Sequence, residues 1–184
     1  RCGNSQAMVN SHYYYLGMRP SIPCGLCRRV FDSCLTWSKT VFNSFTGRDL
    51  LIAGIALYWA EGSKAETTSG FVFVNSDPVM IKFMHLWLRK VMRIKKEDIK
   101  PRLAINEIHK PRIDKVLHFW SGLLELPVAH FGNPWYVKAK VSKVYENYDS
   151  YYGILRLGVR KSGLLKHRTL SLIKILGNFG KLSR

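Results

Sequence analysis

An uncharged apolar run covers residues 50–60, starting directly after Asp49 and ending directly before Glu61 and Gly62. As a helix it would rise roughly 16 Å, about half the hydrocarbon core of a bilayer. It therefore predicts a helix buried in a protein core and not a membrane span. Asp49 suits the N-terminus of such a helix by charge, and Gly62 suits the residue that follows its C-terminus. Ala53, Ala56 and Ala60 lie on one helical face, small enough for a second helix to approach closely. Ile52, Ile55 and Trp59 lie on another face, which can enter a core. With 47% hydrophobic residues, the chain has the means to build that core and is not a disordered one.

Further along, the periodicity alternates between helix and strand. Residues 71–74 are a short strand of β-formers. Asp77 and Pro78 are an N-cap and first-turn pair, and open a helix that ends near Met92. Residues 102–108 alternate, with Leu103 and Ile105 set against Arg102 and Asn106, and suggest a half-buried strand. Pro111 opens a helix carrying Ile113, Val116, Leu117, Trp120 and Leu124, which ends by Pro127. Residues 136–144 and 153–160 form two further strands, read as a hairpin. Ser162 precedes a last helix reaching about Leu176. The expected class is α+β. Residues 1–46 stand apart as a Cys-containing N-terminal extension with a short helix from about Asp32 to Phe42. Residues 47–184 form the main domain.

Charge points to the partner. Lys and Arg number 29 against 12 Asp and Glu, a net charge of +17. Self-repulsion on this scale opposes a compact state, and a polyanion relieves it. Nucleic acid is the first choice, and charge alone does not separate DNA from RNA. A membrane surface is disfavoured, because no long basic amphipathic helix gathers Trp or Phe opposite its charges. Lys138, Lys140 and Lys143 punctuate one strand of the expected hairpin, while Arg156 and Arg160 lie on the other. Such a sheet face can follow a phosphate backbone or be merely solvated. Lys161, Lys166, His167, Arg168 and Lys174 extend the basic surface. Tyr145, Tyr148, Tyr151 and Tyr152 either stack on bases or close the edge of the core.

Four cysteines occupy positions 2, 24, 27 and 34, all near the start. A secreted disulfide scaffold would not leave the rest of the chain uncovered, so a reducing intracellular compartment is expected, an organelle included. Cys24 and Cys27 have zinc-knuckle spacing, with Cys34 as a third ligand and Cys2 or His12 as a fourth. The alternative is four free thiols. His85, His109, His118 and His130 have no metal spacing. The chain begins at Arg1 and not at Met, consistent with a lost upstream domain or targeting peptide. No signal-peptide pattern is present.

The nine residues Gly54-Ile55-Ala56-Leu57-Tyr58-Trp59-Ala60-Glu61-Gly62 resemble the LAGLIDADG signature of homing endonucleases without a gap. They match best at Ala60, Glu61 and Gly62, and depart from it at Gly54 and Ile55. A wider likeness covers roughly residues 47–176. It rests on Arg48-Asp49-Leu50-Leu51, Ala56 to Lys64, Asn75-Ser76-Asp77-Pro78, Phe119-Trp120-Ser121 and Tyr152-Gly153-Ile154-Leu155, and is to a group of bacterial and archaeal proteins with a LAGLIDADG-like domain. The resemblance implies an antiparallel sheet saddle backed by helices. It implies helix–helix contact through Ala56 and Ala60, and Mg²⁺ held by Glu61. Only one copy of the motif is present, so an endonuclease would be a homodimer in which Lys64 helps neutralise the phosphate. The preferred reading is a non-catalytic nucleic-acid binder, a regulator or a ribonucleoprotein or ribosome component. The alternative is a homodimeric Mg²⁺-dependent DNA endonuclease.

Overall fold

The computed structural model describes residues 25–138 and 148–178. The chain divides into two units, Arg1–Asp49 and Leu50–Arg184. In the first, helix α1 spans Gly25–Val41, beginning ahead of the expected Asp32, and a 3-10 turn, Phe42–Ser44, follows it. Helix α2 spans Gly47–Glu61 and crosses into the second unit. Its start is set by a reciprocal cap. The Asp49 carboxylate accepts from the Thr46 N–H at 2.8 Å and from the Thr46 hydroxyl at 2.6 Å, and the Asp49 N–H points back to that hydroxyl. Those Thr46 bonds hold the Asp49 carboxyl below its usual range.

The second unit then runs β1 (Val72–Asn75), α3 (Pro78–Lys90), β2 (Ile99–Asn106), α4 (Ile113–Leu124), β3 (Gly132–Val137), β4 (Ile154–Val159) and α5 (Gly163–Gly177). Asp77 caps α3 by accepting from Val79 N–H at 2.7 Å, with Pro78 in the first turn. The class is α+β. The four strands form one sheet in the order β1-β4-β2-β3. Strand β4 is antiparallel to both β1 and β2, but β2 and β3 run parallel. The sheet is thus mixed and not the antiparallel saddle expected. The anticipated hairpin does not form either, because β4 inserts between β1 and β2 while β3 lies at the far edge. Pro134, inside β3, has no N–H to give a second neighbour and suits an edge position.

One face of the sheet is buried under the helices. Phe73, Ile99, Leu103, Ile105, Leu155 and Leu157 meet Ile55 and Tyr58 of α2, Ile81, Met84, Trp87 and Leu88 of α3, Val116, Trp120 and Leu124 of α4, and Ile173 of α5. The inward face of α2 is Gly54, Ile55 and Tyr58. Ile52 and Trp59, expected to point into the core, are instead 41% and 45% exposed. Gly54 decides this: a Cβ there would overlap the Trp87 indole, and its absence lets α3 lie directly on α2. Gly62 is not in the left-handed conformation expected after a helix. It donates to Tyr58 C=O at 2.8 Å and bridges Phe73, and the Tyr58 ring lies where its side chain would be. No helix among the described residues is long and apolar enough to cross a membrane.

Two consequences can be measured. Gly54→Ala forces the α2–α3 contact apart and should lower stability by about 1–3 kcal/mol in urea unfolding; an unchanged midpoint would mean that the contact yields freely. His85 of α3 is buried with Nε2 unpaired, and burial first, then the charges of Arg89 and Lys96, depresses its pKa to about 4. An unfolded His titrates near 6.5. As pH falls from roughly 6.5 toward 4, the unfolded chain takes up a proton that the folded chain refuses, so stability should fall across that window. His85→Gln should flatten that part of the stability–pH curve.

Candidate nucleic-acid interface

The alternation that buries one face of the sheet delivers the other to solvent. Cross-strand partners fix its rows. Val72, Gly158 and Lys100 form the first, in which Val72 and Gly158 are buried, and Val74, Arg156, Arg102 and Gly132 form the second. Ile154, Ala104 and Trp135 form the third, followed by Asn106 with Val137. None of these positions is acidic.

Arg102 and Arg156 are direct antiparallel partners. Like charges directly opposite one another destabilise a sheet. Here no carboxylate among the described residues pairs with Arg102, Arg156 or Lys100; the ion pair found there joins Lys110 to Glu107. Local chemistry holds both guanidinia close to the sheet. Arg102 donates from Nε to Asn133 C=O at 2.9 Å, and its stem passes over Gly132. Arg156 lies over Gly158, whose missing Cβ would stand 2.8 Å from a guanidinium nitrogen. The result is a fixed cationic centre on an open surface, which can accept a phosphate with little loss of side-chain entropy.

The expected basic residues are only partly gathered here. Arg156 is central. Arg160 and Lys161 are exposed in the turn after β4, at the end where Lys100 lies, and Lys161 takes a left-handed conformation. Lys138 is exposed just beyond β3 and not within a hairpin. Its charge helps lower the Glu107 carboxyl, after the larger contribution of Lys110. Lys140, Lys143 and Tyr145 fall outside the described residues. Lys166 is not a surface cation: it is buried and donates to Ala65 C=O at 2.7 Å and to Thr68 C=O. Tyr148, Tyr151 and Tyr152 are edges of the core. Tyr148 stacks on His109, and Tyr152 stacks on Phe119 at 3.7 Å between ring centres. Arg112 donates to the carbonyls of Tyr148, Asp149 and Tyr151, and the Trp120 indole N–H donates to that of Tyr152 at 2.8 Å.

Arg102, Lys100 and Trp135 were missed. Arg102 lies on the polar side of an expected strand, whereas Lys100 and Trp135 fall just outside the expected strands, which begin at 102 and 136. The recoverable signal was the alternation of Lys100 and Arg102 with Ile99, Leu103 and Ile105, interrupted only by Pro101.

Glu61 ends α2, exposed, next to Gly62 at the β1 edge of the sheet. That position is two strand spacings, roughly 10 Å, from β4. Lys64 donates to Trp59 C=O at 2.6 Å, so its ammonium caps α2 and meets that helix's negative end. Ala56 and Ala60 are exposed, together with Ile52 and Trp59. No group of three or more metal-binding side chains occurs among the described residues. Cys27 and Cys34 both lie in α1, two turns and about 10 Å of rise apart. The Cys27 side chain falls outside the described residues. Cys34 is exposed, and Cys24 falls outside the described residues.

No family model, curated protein or solved structure matches the chain.

The facing arginines make a measurable demand on the free protein. Arg156→Gln should raise the urea midpoint at low ionic strength, and the gain should shrink toward zero at about 0.5 M salt as the repulsion is screened. A variant less stable than wild type at every salt concentration would mean that the Arg156 stem matters more than its charge.

Proposed function

We propose that this protein binds nucleic acid through the open face of its sheet and does not cleave it. The observation that carries this reading is the Arg102–Arg156 pair, two guanidinia set opposite one another beside Lys100 with no carboxylate partner among the described residues. The arrangement costs the free protein stability, and phosphates supply the missing counter-charge. A net charge of +17 adds long-range attraction. A regulator or a component of a ribonucleoprotein fits this surface.

A second reading rests on a separate observation. Glu61 stands exposed at the end of α2, and the Ile52, Ala56, Trp59 and Ala60 face of that helix is partly exposed, with Trp59 lying against Gly177 of α5. In a homodimer formed along this face, a Glu61 from each subunit would hold Mg²⁺ for metal-assisted hydrolysis of a phosphodiester. This is the endonuclease that the motif resemblance suggests.

One set of measurements separates the two. Binding should weaken linearly in log affinity against log salt, and Arg102→Gln and Arg156→Gln should each reduce that slope by about one. Unchanged slopes in both variants would remove the sheet face from consideration. Incubation with Mg²⁺ should leave the bound strand intact. Cutting by wild type that is lost in Glu61→Gln, with affinity retained, would replace the first reading with the second.

A further inference from the structure

The exposed sheet face has two zones. Lys100, Arg156 and Arg102 occupy the first two rows. The next rows carry Ile154, Ala104 and Trp135, then Asn106 beside Val137, a mainly apolar shelf on which Trp135 is 63% exposed. Tyr136 turns the other way and packs against the core, which commits Trp135 to the open side. Ala104, opposite Trp135, is too small to cover the indole. Trp135 stands in the row next to that of Arg102 on the same face.

A duplex suits this pattern poorly. It presents sugar and phosphate outward and keeps the faces of its bases stacked inside. Phosphates could meet the arginines, but polar backbone would then desolvate against the apolar rows without compensation. An unpaired strand matches both zones. Its phosphates run along the cationic rows, while a base turned to the other side stacks on Trp135 and rests against Val137 or Ile154. The shelf from β4 to β3 spans two strand spacings, roughly 10 Å, which is room for one or two bases.

We infer that the sheet face is a binding platform for single-stranded nucleic acid, with Trp135 as the base-stacking residue and Arg102, Arg156 and Lys100 as the phosphate contacts. The inference rests on the nucleic-acid reading above and names the form of its ligand. Stacking is tolerant of base identity and of sugar, so ribo and deoxy strands share the chemistry.

The test is fluorescence anisotropy with the full chain and end-labelled oligonucleotides of one mixed sequence, as single-stranded RNA, single-stranded DNA and duplex DNA, at equal salt. Wild type should prefer the single strands. Trp135→Ala should weaken single-strand binding about tenfold and leave duplex binding nearly unchanged, and Trp135→Phe should restore most of the loss. Arg102→Gln should weaken every form. An equal urea midpoint for Trp135→Ala excludes misfolding as the cause. Tighter binding of the duplex, or single-strand affinity unaffected by Trp135→Ala while Arg102→Gln still weakens it, would overturn the single-strand inference and leave the sheet-face reading standing. Failure of wild type to bind any of the oligonucleotides would overturn both.

Discussion

The contact between Trp87 and the bare backbone at Gly54 organises the second unit. The Trp87 indole occupies the space a side chain at Gly54 would need and donates its N–H to Leu51 C=O at 3.3 Å. Phe71 stacks on Trp87, with ring centres 6.1 Å apart, and on Tyr58 at 4.3 Å. The Tyr58 hydroxyl then donates to Ser63 C=O at 2.8 Å, beside β1. This chain of rings ties α2, α3 and the β1 edge into one layer. Once that layer covers the sheet, the parity of each strand is set, because a slip of one residue would exchange its buried and exposed faces. Leu103 and Leu155 cannot point inward unless Arg102, Arg156 and Ile154 point outward. The open cationic face is thus a consequence of the packing on the other side of the sheet.

The structure also sorts the chain's many cations by task. Lys64 neutralises the carbonyl end of α2, and Lys166 holds the loop that includes Ala65 and Thr68 by its carbonyls. Arg112 draws together the carbonyls of Tyr148, Asp149 and Tyr151. A cation with several carbonyl partners has little to offer a phosphate, since its donors are already used. Arg102, Arg156 and Lys100 differ in how few donors they have committed: among the described residues Arg102 gives only its Nε to a carbonyl, and no side-chain acceptor meets Arg156 or Lys100. Net charge therefore indicates a class of partner, while the surface itself is defined by which cations keep donors free on the open face.

Local signals in the sequence were enough to find most elements. The apolar run after Asp49 gave α2, the Asp77-Pro78 pair gave the start of α3, and alternation gave β2 and β4. What failed was long-range. That β4 would lie between β1 and β2 has no local signature, because each strand reads the same whichever neighbour it takes. The β3 reading was displaced toward its C-terminal lysines, which drew attention away from Pro134 and hence from an edge strand carrying Trp135. The inward face of α2 was misassigned for a different reason. Counting large apolar residues selected Ile52 and Trp59, whereas the tightest contact is made where the side chain is missing, at Gly54.

The position of Glu61 bears on what chemistry one copy of this chain can perform. Gly62 bridges β1, and the Arg102–Arg156 pair lies on β4 and β2, so Glu61 is two to three strand spacings from that pair, roughly 10–15 Å. A Mg²⁺ ion touches its oxygen ligands at about 2 Å. A phosphate seated between the arginines is therefore not one that a metal on Glu61 could activate. Binding on the sheet and hydrolysis at Glu61 would act on different phosphates of the strand, and the second would need further ligands at the β1 edge. A second copy meeting the exposed α2 face could bring one, its own Glu61. The sheet face has no such requirement, since both arginines, the lysine and the indole come from a single chain. The proposed binding through the sheet is thus complete in one copy, whereas the alternative, cleavage, would depend on assembly.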